Sequence, residues 1–198
     1  MLAVQSLSRP GLHPASFTLK AGECLILRGP SGSGKTLLMR ALADLDLNQG
    51  TVMLDERPRE DIPAPEWRKR VAYVPAESGW WADRVGDHFE NTAGLEPLLI
   101  RAGLADDALN WPVSRLSTGE KQRLALLRAL AQSPGYLLLD EPTSALDETA
   151  RELIEDLIRS EMASGTGVLL ITHDADQAQR FGGRQMWMDA GTLSIDAP

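Results

Sequence analysis

Apolar and polar positions alternate in two rhythms along this chain. The runs LAVQSL, SFTL and ECLILR near the start, then TVMLD and RVAYV, read as strands. Between them, TLLMRALADL carries apolar residues at helical spacing. From residue 116 the order is regular: helix TGEKQRLALLRALAQ, with an apolar face at Leu124, Leu127, Leu130 and Ala131, strand YLLLD, helix TARELIEDLIRSEM, strand GVLLIT, helix DADQAQRF, and strands RQMWM and GTLSI. YLLLD and GVLLIT are apolar throughout, the pattern of strands covered on both faces. The pattern predicts an α/β fold: a mostly parallel sheet with helices on both sides and an N-terminal antiparallel β portion. Residues 78–115 break the rhythm. They are punctuated by Gly and Pro and hold two short helical patterns, DRVGDHFEN and EPLLIRAGL, so they read as a small helical subdomain inserted in the core.

Composition narrows the picture. A chain of 198 residues is one domain's length, 1–198, with room for a sizeable core. The 28 acidic against 20 basic residues, a formal charge of -8, argue against a basic nucleic-acid surface. Cys24 is the only cysteine, which excludes an intrachain disulfide and points to a reducing compartment; within ECLIL it reads as a small buried hydrophobe. No apolar run reaches the roughly 18–20 residues of a membrane span. MLAVQSLSRPG is short and polar for a secretory signal, so the chain is expected to be soluble.

GPSGSGKT, residues 29–36, follows the strand ECLILR and opens a helical pattern. It matches G-x-x-x-x-G-K-[ST] in the context that gives the motif meaning. Gly29, Gly32 and Gly34 allow the tight turns that aim successive N–H groups at a phosphate along 30–37, a stretch that also holds Pro30, Ser31, Ser33 and Leu37. Lys35 is placed to reach the β- and γ-phosphates of a nucleotide and Thr36 to offer its hydroxyl to Mg²⁺, while the helix adds its positive end. In YLLLDE, Asp140 closes an apolar strand as the acid for Mg²⁺, and Glu141 is the candidate general base or orienter of the attacking water. Ser117-Thr118-Gly119-Glu120 precedes an apolar helical run, and its S-x-x-E is a capping box.

In this order, the phosphate loop, LSTGEKQRLALLRAL (116–130), LLLDEPTSALD ending at Asp147 and ITHD (171–174) resemble the nucleotide-binding subunit of an ATP-binding cassette (ABC) transporter, within the P-loop NTPase superfamily. The similarity covers essentially the whole chain. It implies an ATPase using ATP and Mg²⁺ and working as a head-to-tail homodimer. Ser117 and Gly119 of each copy would then face the γ-phosphate held by the other. It implies that His173 is the switch histidine acting with Glu141, and that Asp147 supports the dimer seam. It further implies a separate membrane permease, a place on the cytoplasmic face of the inner or plasma membrane, and no direct nucleic-acid partner. Two other uses of such a cassette are a soluble ATPase in nucleic-acid or ribosome-related work and a non-hydrolysing regulatory cassette. The acidic balance weighs against the first, and intact Lys35, Thr36, Asp140, Glu141 and His173 against the second.

Three departures from the family pattern stand out. Thr118 and Glu120 replace the usual second glycine and glutamine, and Glu120 brings negative charge toward a triphosphate unless it turns back to the cap. Adenine stacking lacks its usual aromatic, leaving Arg9 or His13 as planar candidates. In VAYVPAESGWW, Ala76 stands where the family carries a glutamine that senses the γ-phosphate. Glu77 next to it is a candidate replacement ligand for Mg²⁺, and one of Trp80 and Trp81 is expected to line the partner groove.

Overall fold

Alternating side chains on the central strands sort the interior into two cores. The structure, a computed structural model, describes residues 1–195. In chain order it places β1 (Leu2–Arg9), β2 (Leu12–Leu19), β3 (Cys24–Arg28), α1 (Lys35–Leu42), β4 (Gln49–Leu54), β5 (Arg57–Pro58), α2 (Ala64–Arg70) and β6 (Val71–Val74). There follow α3 (Glu96–Arg101), α4 (Thr118–Leu130), β7 (Tyr136–Asp140), α5 (Glu148–Ala163), β8 (Gly167–Ile171), α6 (Ala175–Phe181), β9 (Arg184–Asp189) and β10 (Thr192–Ile195). One sheet has the order β2-β1-β4-β5 and its pairs are antiparallel. The other runs β10-β9-β3-β8-β7-β6, parallel throughout except for the β9–β10 hairpin.

Leu25, Leu27, Leu138, Leu169 and Ile171 face a core shared with the antiparallel sheet and α1. The intervening Ile26, Leu137, Leu139, Val168 and Leu170 face a second core shared with α4, α5 and α6. This period-2 sorting explains why these strands are apolar at every position. Residues 78–115 bury Val85, Leu99, Ala102, Leu104 and Ala108 in that second core, against α4. Cys24 is buried, and burial with Glu23 nearby pushes its thiol up to about 12, so it packs as a hydrophobe.

One local expectation needs correction, and one helix comes in addition. DRVGDHFEN contains only a single 3₁₀ turn, Val85–His88. The buried His88 ring stops a longer helix: Nδ1 lies 3.0 Å from the carbonyl of Arg84, and Nε2 accepts the N–H groups of Trp81 (2.9 Å) and Ala82 (3.1 Å). With Nε2 accepting, Nδ1 donates to the Arg84 carbonyl, the group that a helix would give to the backbone N–H of His88. Conversely, APEWRKR forms α2, where buried Trp67 donates its Nε1–H to the carbonyl of Leu42 at 2.8 Å. Beyond α1, Asp46 accepts from Arg40 Nε (2.7 Å) and Nη2 (2.8 Å) and from Arg9, and the Arg40 bond above all holds its carboxyl down at about 2.

Candidate active site

The phosphate loop joins the end of β3 to α1 and is braced from outside. Gly191, in the β9–β10 turn, donates its N–H to the carbonyl of Ser33 at 2.8 Å and accepts the N–H of His13 at 2.8 Å. Gly29 has φ +147°, and a Cβ there would run into the carbonyl oxygen of Met188, so both backbone angle and space demand glycine. Gly34 caps α1 with φ +105° and no side-chain bond, leaving the first helical N–H groups of Lys35, Thr36 and Leu37 without a side-chain cap. Pro30, Ser31 and Gly32 form the exposed rim, whereas Ser33 is buried with an unpartnered hydroxyl. Lys35 is buried; its Nζ donates to the carbonyls of Gly29 (2.9 Å) and Pro30 (2.8 Å). Burial lowers its pKa, a pull only partly offset by the charges of Glu141 and Asp140. The result is a desolvated cation inside a ring of backbone amides, a site built for polyphosphate.

Asp140 ends β7 beside that loop. Thr36 donates its hydroxyl to Asp140 Oδ2 at 2.8 Å, and Tyr73 on β6 donates to the same oxygen at 3.3 Å. A hydroxyl and a carboxylate so close form the hard-oxygen donor set that Mg²⁺ takes, so the residues fit that ion. Tyr73 is a member the sequence reading missed. Burial, then the charge of Asp140, raise the pKa of its phenol and keep it a proton donor.

Glu141 follows at φ +50°, a left-handed conformation that costs a non-glycine residue on the order of 1 kcal/mol or more. Regular strand geometry would send adjacent side chains to opposite faces. This turn breaks the alternation, and Glu141 Oε1 comes 3.0 Å from His173 Nε2, beyond the end of β8. The bent backbone is held on both sides: its N–H donates to the carbonyl of Ile171 (3.0 Å), and its own carbonyl accepts Gln122 Nε2 (2.7 Å) and Ser144 Oγ (3.1 Å). Asp174, next to His173, caps α6 by accepting from Asp176 and Gln177. A further buried chain, Thr143 Oγ1 to Gln177 to Glu155 to Arg180, ties the segment after Glu141 to α6.

Ser117 and Gly119 lie at the start of α4. Both halves of the capping box form: Ser117 Oγ accepts the N–H of Glu120 (3.2 Å), and the Glu120 carboxylate accepts the Ser117 N–H (2.8 Å) and hydroxyl (2.9 Å). Glu120 therefore does turn back to the cap, and the Ser117 N–H keeps its pKa low.

Comparison with known proteins then places the chain. A family model described as "ABC transporter" matches residues 12–144. The chain belongs to the ABC transporter family. It is 35% identical to the Fe(3+) ions import ATP-binding protein FbpC of Haemophilus influenzae, covering 94% of this chain and 58% of that relative, a little over half its length. It is 34% identical to the hemin import ATP-binding protein HmuV of Rhodococcus jostii, covering all of this chain and 73% of the relative. Among solved structures, the dimeric ATP-binding cassette MJ0796 in a post-hydrolysis state bound to ADP and Pi superposes with a TM-score of 0.81 at 26% identity over the full length of both chains. A structure of the ATP binding subunit of an ABC transporter shares the fold with a TM-score of 0.86 at 23% identity, over 98% of this chain and 90% of the other.

Other family positions in this ABC cassette divide by whether the structure engages them. Asp147 accepts the N–H of Ala150 at 2.8 Å as the cap of α5. Arg9 is bound to Asp46, whereas His13 stands exposed beside the phosphate loop. Ala76 and Glu77 are exposed, and Glu77 forms no hydrogen bond or ion pair among the described residues, so Thr36 and Asp140 are brought together without it. Trp80 packs against the second core and Trp81 is 72% exposed. Both rings meet His88 edge-on at 4.7 and 4.6 Å, with the Arg128 guanidinium 5.0 Å from each. Arg128 also borders a groove with Leu45, Arg68, Val74 and Pro75. Burial lowers the pKa of its guanidinium.

Proposed function

We propose that this ABC cassette hydrolyses ATP as one half of a head-to-tail dimer and passes the resulting movement to a membrane permease, with 1–198 as the working unit and 78–115 as its inserted helical part. The observation that carries the proposal is the Glu141–His173 pair at 3.0 Å, set beside Thr36–Asp140 at 2.8 Å and the lysine-filled phosphate loop. ATP is the substrate. Thr36 and Asp140 would hold Mg²⁺, which neutralises phosphate charge when bound. Lys35 and the loop amides stabilise charge developing on the γ-phosphoryl oxygens. Glu141 orients the attacking water or accepts its proton, and His173 fixes the Glu141 carboxylate.

Ser117 and Gly119 complete the site of the facing copy from the N-terminus of α4. The dimeric MJ0796 cassette, alike over its whole length, supports this assembly. Relatives of similar identity carry names for iron(III), hemin and aliphatic sulfonates, unrelated cargoes, which supports a subunit that drives transport without touching cargo. The groove bordered by Arg128, whose guanidinium also meets Trp80 and Trp81, is the proposed seat of the permease on the cytoplasmic face of the membrane. No helix among the described residues is long and apolar enough to cross a membrane. The test is steady-state hydrolysis in Glu141→Gln, expected to fall about 100-fold or more; the unmutated rate would overturn the assignment of the catalytic carboxylate.

A further inference from the structure

Gln122 lies on α4, five positions after the helix-capping Ser117, and is 4% exposed. A buried carboxamide must satisfy both its ends, and this one does so on a single loop. Nε2 donates to the carbonyl of Glu141 at 2.7 Å, and Oε1 accepts the N–H of Ala145 at 3.2 Å. One turn earlier on the same helix, a Cβ at Gly119 would stand 3.1 Å from the carbonyl oxygen of Ala145 and 3.2 Å from Leu146 Cδ2. The first turn of α4 is therefore pressed against residues 145–146, and Gln122 fastens that contact to the strained backbone of Glu141.

We propose that Gln122 is the positioning residue for Glu141, and that it makes the catalytic carboxylate of one site answer to α4. The proposal rests on the hydrolytic, dimeric reading above. In that dimer the start of α4 faces the nucleotide bound by the other copy, while Glu141 serves the nucleotide of its own copy. Any shift of α4 toward the facing γ-phosphate is delivered through the Gln122 carboxamide to the carbonyl of Glu141. The φ of +50° persists only while its surroundings hold it. A rigid link between α4 and that residue thus ties occupancy of one site to the geometry of the other.

The test uses the full chain with Gln122→Leu, which keeps the volume and removes these bonds together with the one Nε2 donates to Ser144 Oγ at 3.3 Å, and Gln122→Glu, which retains an acceptor for Ala145 and loses the donor to Glu141. Hydrolysis and hydrogen exchange are measured together. For Gln122→Leu the expected result is a fall in kcat of about 30-fold, with KM for ATP within about twofold of the parent and the Hill coefficient lowered to one. Amides 141–146 should exchange about tenfold faster, with amides 29–36 unchanged. Gln122→Glu should lose kcat while keeping the Ala145 amide slow. The proposal is overturned if kcat and exchange both stay within about twofold of the parent, or if KM rises with kcat intact, the pattern of lost uniform binding. If Glu141→Gln itself hydrolyses ATP at the parent rate, the hydrolytic reading fails, and the exchange experiment still decides whether Gln122 holds the loop.

Discussion

The phosphate loop and the loop after β6 both leave the C-terminal edge of the parallel strands, but they are built on opposite plans. Around the phosphate loop the functional side chains already engage one another: Lys35 with the carbonyls of Gly29 and Pro30, Thr36 and Tyr73 with Asp140, His173 with Glu141. After β6, Ala76 and Glu77 face solvent, and tertiary contacts begin at Gly79, whose carbonyl accepts from Arg128, and at Trp80, where His88 and Arg128 meet the indoles. The first region is preorganised for chemistry. The second is anchored at its far end and free at the position where the family places its sensor. This contrast suits a cassette whose phosphate, metal and water-orienting groups are set within one chain and whose reporting of nucleotide state is completed by a partner.

The largest expected effect comes from breaking the preorganised side. Gly29→Ala forces a Cβ into the carbonyl of Met188 at a φ that disfavours it. ATP affinity, read with a fluorescent nucleotide, should fall at least about 100-fold, since displacing the loop costs several kcal/mol of phosphate contacts. Retained affinity would mean that the loop is less constrained than the bracing by Met188 and Gly191 implies.

A smaller loss is expected from the anchor of the second loop. His88→Ala strips the acceptor from the N–H groups of Trp81 and Ala82. Unfolding measured by denaturant should show a loss of about 2 kcal/mol, with altered Trp81 fluorescence. Unchanged stability would show that the indoles are held without the histidine.

The smallest effect sharpens the contrast itself. We expect Glu77→Ala to lower hydrolysis only about fivefold and to raise the Mg²⁺ requirement, and only with the permease present. An equal loss in the isolated cassette would place Glu77 in the site already, and no loss in either setting would remove it from the Mg²⁺ ligands.

Much of this was legible in the chain because the signals were local. YLLLD and GVLLIT declare two covered faces, GPSGSGKT declares its turn, and S-x-x-E declares the start of α4, where the structure decides that Glu120 returns to the cap. What escaped was tertiary. Tyr73 reads as one more strand aromatic until β6 pairs with β7 and brings it to Asp140. Gln122 reads as a polar position of an amphipathic helix; its only sequence signal is that it lies four residues before buried Leu126, on the inward face. DRVGDHFEN looked helical because its apolar spacing says nothing of an imidazole that takes the backbone N–H groups of Trp81 and Ala82. Helix α2 is short, and its signal is Pro65 in the first turn, a place that suits proline, followed by the inward Trp67.

The central claim is a hydrolytic site completed by a second copy, with Glu141 as its catalytic carboxylate. Sedimentation of Glu141→Gln with and without MgATP, alongside its hydrolysis rate, tests it most directly. The account predicts hydrolysis lowered about 100-fold together with a dimer that accumulates with MgATP and dissolves when the nucleotide is removed. A monomer at saturating MgATP, or hydrolysis at the parent rate, would contradict it.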